Sequence, residues 1–215
     1  LLAVEKMAQE TQRLGGQFLP FTEVYDFETK NHNISKIQTT RGIFEADLVI
    51  VAMGTWSQLL AKKISLNVPV LGGKGYSLIS NQFTPKPTHP IMLIEKKIAI
   101  TPRQNSIRIA GTLELVKNDD SLSSRRIEAI LKGTRQFFNL PDDLQISEVW
   151  RGLRPCTPDG VPMIGFSIKI SNLFFCTGHQ MLGLQSAPGS ARLAAELILK
   201  TTPYVNPIPF NPNRF

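Results

Sequence analysis

Twice in this chain a run of apolar residues stops at a glycine and a helical pattern follows, and nothing else in the sequence restricts the fold as much. The first run is Leu48-Val49-Ile50-Val51-Ala52-Met53, stopped by Gly54; the second is Leu173-Phe174-Phe175-Cys176-Thr177, stopped by Gly178. Runs without polar alternation suit strands covered on both faces, as in sheets flanked by helices. In open α/β sheets ligands collect beyond the carboxyl ends of such strands. Glycine there lets the backbone come close, and the next helix offers free N–H groups. Taken singly, either run is equally a tight turn in an α/β fold.

Between the two runs the pattern changes. Residues 70–80, 91–95, 97–101 and 106–115 read as strands separated by turns rich in Pro and Asn, which predicts an antiparallel sheet. Residues 121–138 place Ile127, Ile130 and Leu131 on one helical face, and strand pattern resumes over 144–154. Ahead of the first run, 1–14 read as a helix capped by Gly15-Gly16. Residues 18–29 and 34–39 read as a hairpin turning at Asn31-His32-Asn33, and Arg41-Gly42 marks a further turn. Residues 56–63 and 187–199 read as helices, and Pro203, Pro207, Pro209 and Pro212 predict an extended tail. The chain opens at Leu1 directly inside a helical pattern, so the expectation is a fragment of a longer protein.

A nucleic-acid surface needs its basic residues clustered. Here the net charge is +7, but Lys62-Lys63, Lys96-Lys97 and Arg125-Arg126 are isolated doublets, so no nucleic-acid partner is expected. The charge suits anionic ligands or an anionic membrane surface. Peripheral contact with the inner membrane therefore stays open beside a cytoplasmic location. The longest apolar run falls far short of the ~20 residues that span a bilayer. Cys156 and Cys176 are too few for a disulfide framework and too irregularly placed for zinc, so a reducing compartment and no metal are expected.

The segment Trp150-Arg151-Gly152-Leu153-Arg154-Pro155-Cys156-Thr157-Pro158-Asp159-Gly160 has the densest chemistry. Proline fixes backbone angles, and Pro158-Asp159-Gly160 is a strong turn. An arginine held in such a frame can present its planar fork to a carboxylate. An arginine in a structural salt bridge explains the same residues.

The string from Gly152 to Gly165, followed by Asn172-Leu173 and Gly178-His179, resembles the C-terminal signature of the D-amino-acid oxidase superfamily. Glycine oxidases, sarcosine oxidases and D-amino acid dehydrogenases share that signature. Lys74-Gly75-Tyr76-Ser77-Leu78, Lys97-Ile98-Ala99-Ile100-Thr101 and Ile107-Arg108-Ile109-Ala110-Gly111 are closer to the dehydrogenase branch. The likeness runs along essentially the whole chain.

The resemblance implies an α/β plus antiparallel-sheet flavoprotein. Residues 1–63 and 154–215 would be parts of a glutathione-reductase-like FAD-binding domain, and 64–153 a D-amino-acid-oxidase-like substrate domain. The family's Gly-x-Gly-x-x-Gly fingerprint occurs nowhere in this sequence, which agrees with a fragment that is inactive when isolated. The implied reaction is FAD-dependent oxidative deamination of D-amino acids to 2-oxo acids and ammonia, with the electron acceptor unassigned. The rivals are a glycine- or sarcosine-type amine oxidase and a non-catalytic structural remnant.

Matched residue by residue, Val24 falls at the family's adenine contact, and Ala52, Gly54 and Trp56 at the turn beside adenosine. Gly178, His179, Gly183, Leu184 and Gln185 fall under the flavin ring. Arg154 matches the arginine that binds the substrate carboxylate. Tyr76 is either a second pocket hydroxyl or a packed strand tyrosine. His179 is expected to hold a turn, not to act as general base. Glycine oxidases carry a tyrosine where this chain has Ala99, which favours bulkier substrates.

Overall fold

The computed structural model describes residues 2–84 and 86–215. Helix α1 (Leu2–Arg13) ends as expected: Gly15 takes φ +91°, and the Gly16 amide donates to the Thr11 carbonyl at 2.9 Å. Leu1 lies outside the described residues. Strand β1 (Val24–Lys30) is shorter than the predicted 18–29, since Pro20 has no N–H to donate and Phe21 sits at φ +57°. Asn31 and His32 both adopt positive φ between the paired residues Lys30 and Asn33, a two-residue turn that starts β2 (Asn33–Thr39). A second turn leads into β3 (Gly42–Phe44), and the three strands form an antiparallel meander.

The two glycine-stopped runs become neighbours. Strand β4 (Val49–Val51) pairs in parallel with β11 (Leu173–Thr177), and β10 (Met163–Phe166) pairs with the far side of β11 in antiparallel fashion. Alternation along β11 divides the packing. Leu173 and Phe175 join Val49, Val51 and the meander's Phe27 and Ile34 in one core, which also takes Leu60 from helix α2 (Ser57–Lys63). Phe174 points the other way and meets Leu193 and Ala194 of helix α4 (Gly183–Ile198). The expectation that the first run is covered on both faces is corrected: β4 is short, and Ile50 on its α4-side face is 50% exposed. Helix α4 begins four residues before the predicted 187, carrying Pro188 inside it.

Two side-chain clasps fix this sheet. The Asn172 amide imitates a strand neighbour, accepting from the Ile34 N–H at 2.7 Å and donating to the Ile34 carbonyl at 2.9 Å. At the carboxyl ends, Ser57 donates to Thr177, whose hydroxyl donates to the Gly54 carbonyl, each at 3.1 Å.

The middle of the chain forms the predicted antiparallel sheet. Its strands are β5 (Leu71–Ser80), β6 (Ile91–Leu93), β7 (Ile98–Pro102), β8 (Ile107–Val116) and β9 (Glu148–Cys156), in the spatial order β6-β7-β8-β5-β9. One face packs on helix α3 (Ser124–Arg135) through Leu78, Ile100, Ile107, Ile109 and Ile130. Each such fully buried side chain contributes about 1.5–3 kcal/mol. The tail is not extended as expected. It winds into two single 3₁₀ turns, and Arg214 grips Asp159 with two hydrogen bonds of 2.7 and 3.0 Å. That pair holds the Asp159 carboxyl well below the usual carboxylate range.

Candidate functional site

Strand register sorts the residues of β5 and β9 onto two faces, because neighbours along a strand point opposite ways. Gly73 lies opposite Arg154, Gly75 opposite Gly152 and Ser77 opposite Trp150. This set faces away from α3. Ala110 continues it across β8, and Ala99 across β7. The result is a floor of small residues flanked by Arg154 and Trp150, with Arg108 two positions along β8 on the same face.

The Arg154 guanidinium lies over the bare backbone of Gly75, where any added Cβ would collide with it. A bulge in β8 supports the arrangement. Lys74 pairs with Glu114 but Tyr76 with Gly111, so Thr112 and Leu113 together oppose Gly75, and Thr112 is pushed to φ +63°. Such a bulge re-aims backbone groups. Here the Thr112 carbonyl turns toward Arg154 and accepts from its Nη1 at 3.4 Å, matched by the Gly73 carbonyl at the same distance. Both contacts are long, and a guanidinium has five N–H donors to satisfy. Among the described residues no carboxylate pairs with it. Burial pulls its pKa below the usual value, and the Arg108 charge acts in the same direction.

Arg151, one of the arginines flanking Gly152, is committed elsewhere: its Nε donates to the Asp120 carbonyl at 2.7 Å, and its Nη2 pairs with the Asp120 carboxylate at 3.3 Å. Tyr76 is not brought together with Arg154. It lies on the α3 face, 1% exposed, with its hydroxyl donating to Glu114 at 2.7 Å. Beside it the fully buried Lys74 ammonium reaches Asp119 at 2.6 Å and Glu114 at 3.2 Å. Burial alone would lower the Lys74 pKa, but its hydrogen bonds to Asp119, Glu114 and Tyr76 outweigh that and raise it.

The other candidates gather at the carboxyl ends of β4 and β11. Gly54 takes φ +55° with open space where a Cβ would lie, and the hydroxyl of the adjacent buried Thr55 has no partner among the described residues. Ala52 is exposed at the same turn, and Val24 packs at the border of the core that holds Val49 and Val51. Gly178 at φ +81° passes tightly under Thr157. His179 bridges to the Cys156 backbone and its Nε2 lies 2.9 Å from the Ser190 hydroxyl, while burial lowers its pKa. These two contacts tie the residue after Gly178 to β9 and to α4. No side chain caps α4, so the N–H groups of its first turn, from Gly183 through Leu184 and Gln185, are available to a ligand. A cleft of about 490 Å³ runs past His179 and Gln185 toward Tyr204 and Phe210.

Sequence reasoning placed Trp56 with the adenosine turn and gave Trp150 no role. The structure puts both tryptophans on one cavity of about 360 Å³ whose lining includes Gly152 and Arg154. A signal for Trp150 existed in the alternation of β9, where it shares the face of Arg154. Reading it required knowing that the opposing positions are glycines.

The family model described as DAO, FAD dependent oxidoreductase, matches residues 1–197. A D-amino acid dehydrogenase of Vibrio atlanticus is 39% identical over 195 residues, covering 89% of this chain and 46% of the relative. One from Granulibacter bethesdensis is 36% identical over 208 residues, covering 95% of this chain and 49% of the relative. The chain thus spans about half the length of the curated relatives it matches. Among solved structures, L-proline dehydrogenase from P. horikoshii matches with a TM-score of 0.84 at 22% identity, over 99% of this chain and 59% of that one. Glycine oxidase from Geobacillus kaustophilus matches at 0.82 and 24% identity, over 94% of this chain and 54% of that one. These structural likenesses speak for the fold: mixed α/β with an antiparallel sheet.

Proposed function

The chain belongs to the DAO family of FAD dependent oxidoreductases, and on that premise we propose that the complete protein oxidises D-amino acids with FAD. The products are the 2-oxo acid and ammonia, after hydrolysis of the imino acid. The observation that carries this reading is Arg154, a half-buried cation with no carboxylate partner among the described residues, lying on a floor of glycine, serine and alanine. Such a fork matches a carboxylate with two parallel hydrogen bonds. The fold alone does not choose the hand of the substrate, since an L-proline dehydrogenase shares it. Relatives at 33–39% identity that bear the name D-amino acid dehydrogenase favour the D series. Ala99 on the floor beside Ala110 favours larger substrates over glycine.

The residues present fit the cofactor. The open space at Gly54, the unpartnered Thr55 hydroxyl and the uncapped start of α4 are each suited to a bound ligand. We assign Val24, Ala52 and Gly54 to the adenosine side of FAD, with Trp56 at the boundary of the substrate cavity. Gly178, His179, Gly183, Leu184 and Gln185 are assigned to the flavin ring, where the first turn of α4 would favour negative charge. When bound, FAD supplies the acceptor for the hydride equivalent that leaves the substrate α-carbon. The chain's own contribution is to bind and orient: Arg154 holds the carboxylate and so fixes the direction of the α-hydrogen, and neutral His179 keeps the turn in place. No protein base is required once the amine is neutral. We further infer that 1–63 and 154–215 belong to a glutathione-reductase-like cofactor domain and that 64–153 covers the flavin. The pairing of β4 with β11 in one sheet supports that partition.

The test is expression of the complete protein with its flavin spectrum and a panel of amino acids. Bleaching of the flavin band by D-amino acids under anaerobic conditions is the expected result. Bleaching by L-amino acids or glycine alone would overturn the assignment.

A further inference from the structure

Two glycines face each other across β5 and β9, and each lies beneath a large planar group. The Arg154 guanidinium covers Gly75, and the Trp150 indole lies so closely along Gly152 that a Cβ there would overlap its six-membered ring. Directly paired residues stand about 5 Å apart across a sheet. The two planar groups therefore lie side by side over one glycine pair, on the face turned away from α3. Trp150 is 50% exposed and belongs to none of the buried clusters, so the core does not account for its position. Together with Trp56 it lines the cavity that contains Arg154.

An α-amino acid has a fixed geometry: its side chain leaves the carbon next to the carboxylate. A carboxylate seated on Arg154 thus delivers the side chain within a few ångströms of the anchor. Beside the anchor, Ser77, Ala99 and Ala110 carry only small side chains on the floor, and on one flank stands the indole. Resting on the proposed carboxylate role of Arg154, we propose that Trp150 is the wall against which the substrate side chain packs, selecting amino acids with aromatic or large apolar side chains. An indole face gives an aromatic partner offset or edge-to-face contact, and gives a methyl group almost nothing.

The experiment uses the complete, flavin-loaded protein and two readouts. The first is kcat/KM for D-phenylalanine and D-alanine in the wild type, Trp150→Ala and Trp150→Phe. The ratio should favour phenylalanine in the wild type, fall roughly tenfold in Trp150→Ala and be largely retained in Trp150→Phe, the size expected for one lost aromatic contact. The second readout is calorimetric binding of two unreactive carboxylates, phenylacetate and acetate. Trp150→Ala should weaken phenylacetate by a similar factor and leave acetate unchanged. Equal effects on both substrates, or no effect on phenylacetate, would overturn the role of Trp150 while leaving Arg154 in place. If the wild type binds neither carboxylate, the anchor reading itself fails, and the wall falls with it.

Discussion

At the scale of single residues the site turns on what Arg154 has and lacks. It has a fixed bed, made by Gly75 and the Thr112 carbonyl, and among the described residues it has no acidic partner. Replacing it by lysine keeps the charge but removes the planar fork. Losing one charge-assisted hydrogen bond of ~1.5–3 kcal/mol should reduce kcat/KM for D-amino acids roughly ten- to hundredfold in the complete enzyme. Arg154→Ala should cost more, with flavin content near normal, whereas Arg151→Ala should do less because that side chain already serves Asp120. Near-wild-type turnover in Arg154→Ala would make the residue structural. Gly75→Ala is a separate probe of the bed. Its methyl group must displace the guanidinium, and a misplacement of about 1 Å can cost on the order of a hundredfold. Steady-state kinetics should therefore show a raised KM in Gly75→Ala, with the thermal midpoint little changed. The arginine was legible from the Gly-Leu-Arg-Pro string. Its bed was not, because glycine on a strand announces flexibility or a bulge before it announces space for a distant side chain.

At the scale of elements, strand and helix types followed the sequence wherever apolar periodicity was long, as in β5, β8 and α3. Ends and short strands did not. The first apolar run made a strand of only 3 residues, since its neighbour β11 pairs with it over that length alone. Tyr76 went to the α3 face because alternation on β5 fixes it opposite Gly75, a parity no residue type reveals. Its companion Lys74 is the feature that binds β5, β8 and the loop before α3 together. Hydrogen bonds from Lys74 and Ser121 hold the Asp119 carboxyl down to about 2 from an ordinary 3.8. A depressed carboxyl stabilises the fold above its unfolded pKa and loses that contribution as pH falls through the folded one. Asp119→Asn should accordingly lower the urea midpoint near neutrality. The gap from wild type should close as pH falls from about 4 toward 2. A gap independent of pH would show that the effect does not come from the ionised Asp119 carboxylate.

At the scale of the whole molecule, two assemblies are joined by β9, which belongs to the antiparallel sheet yet touches the His179 turn through Cys156. Among the described residues no helix is long and apolar enough to cross a membrane. The chain holds the turns beyond β4 and β11 but contains no Gly-x-Gly-x-x-Gly segment, the glycine loop that grips a pyrophosphate at a helix N-terminus. The 215-residue chain taken alone should therefore bind FAD weakly or not at all in a fluorescence titration. Submicromolar, stoichiometric binding would mean that the contacts described here suffice.

The arginine and the indole both ride on β9, which among the described residues is bonded to β5 along one side and, on the other, only to the His179 turn at its Pro155-Cys156 end. An edge strand leaves alternate amides without a ladder partner. Those amides should trade their hydrogens with solvent quickly, and a seated carboxylate should slow them by drawing β9 down onto β5. Hydrogen exchange along 148–156 would thus report occupancy without any turnover. Because the discriminating groups sit on an edge strand, warming should erode selectivity between amino acids before the protein melts.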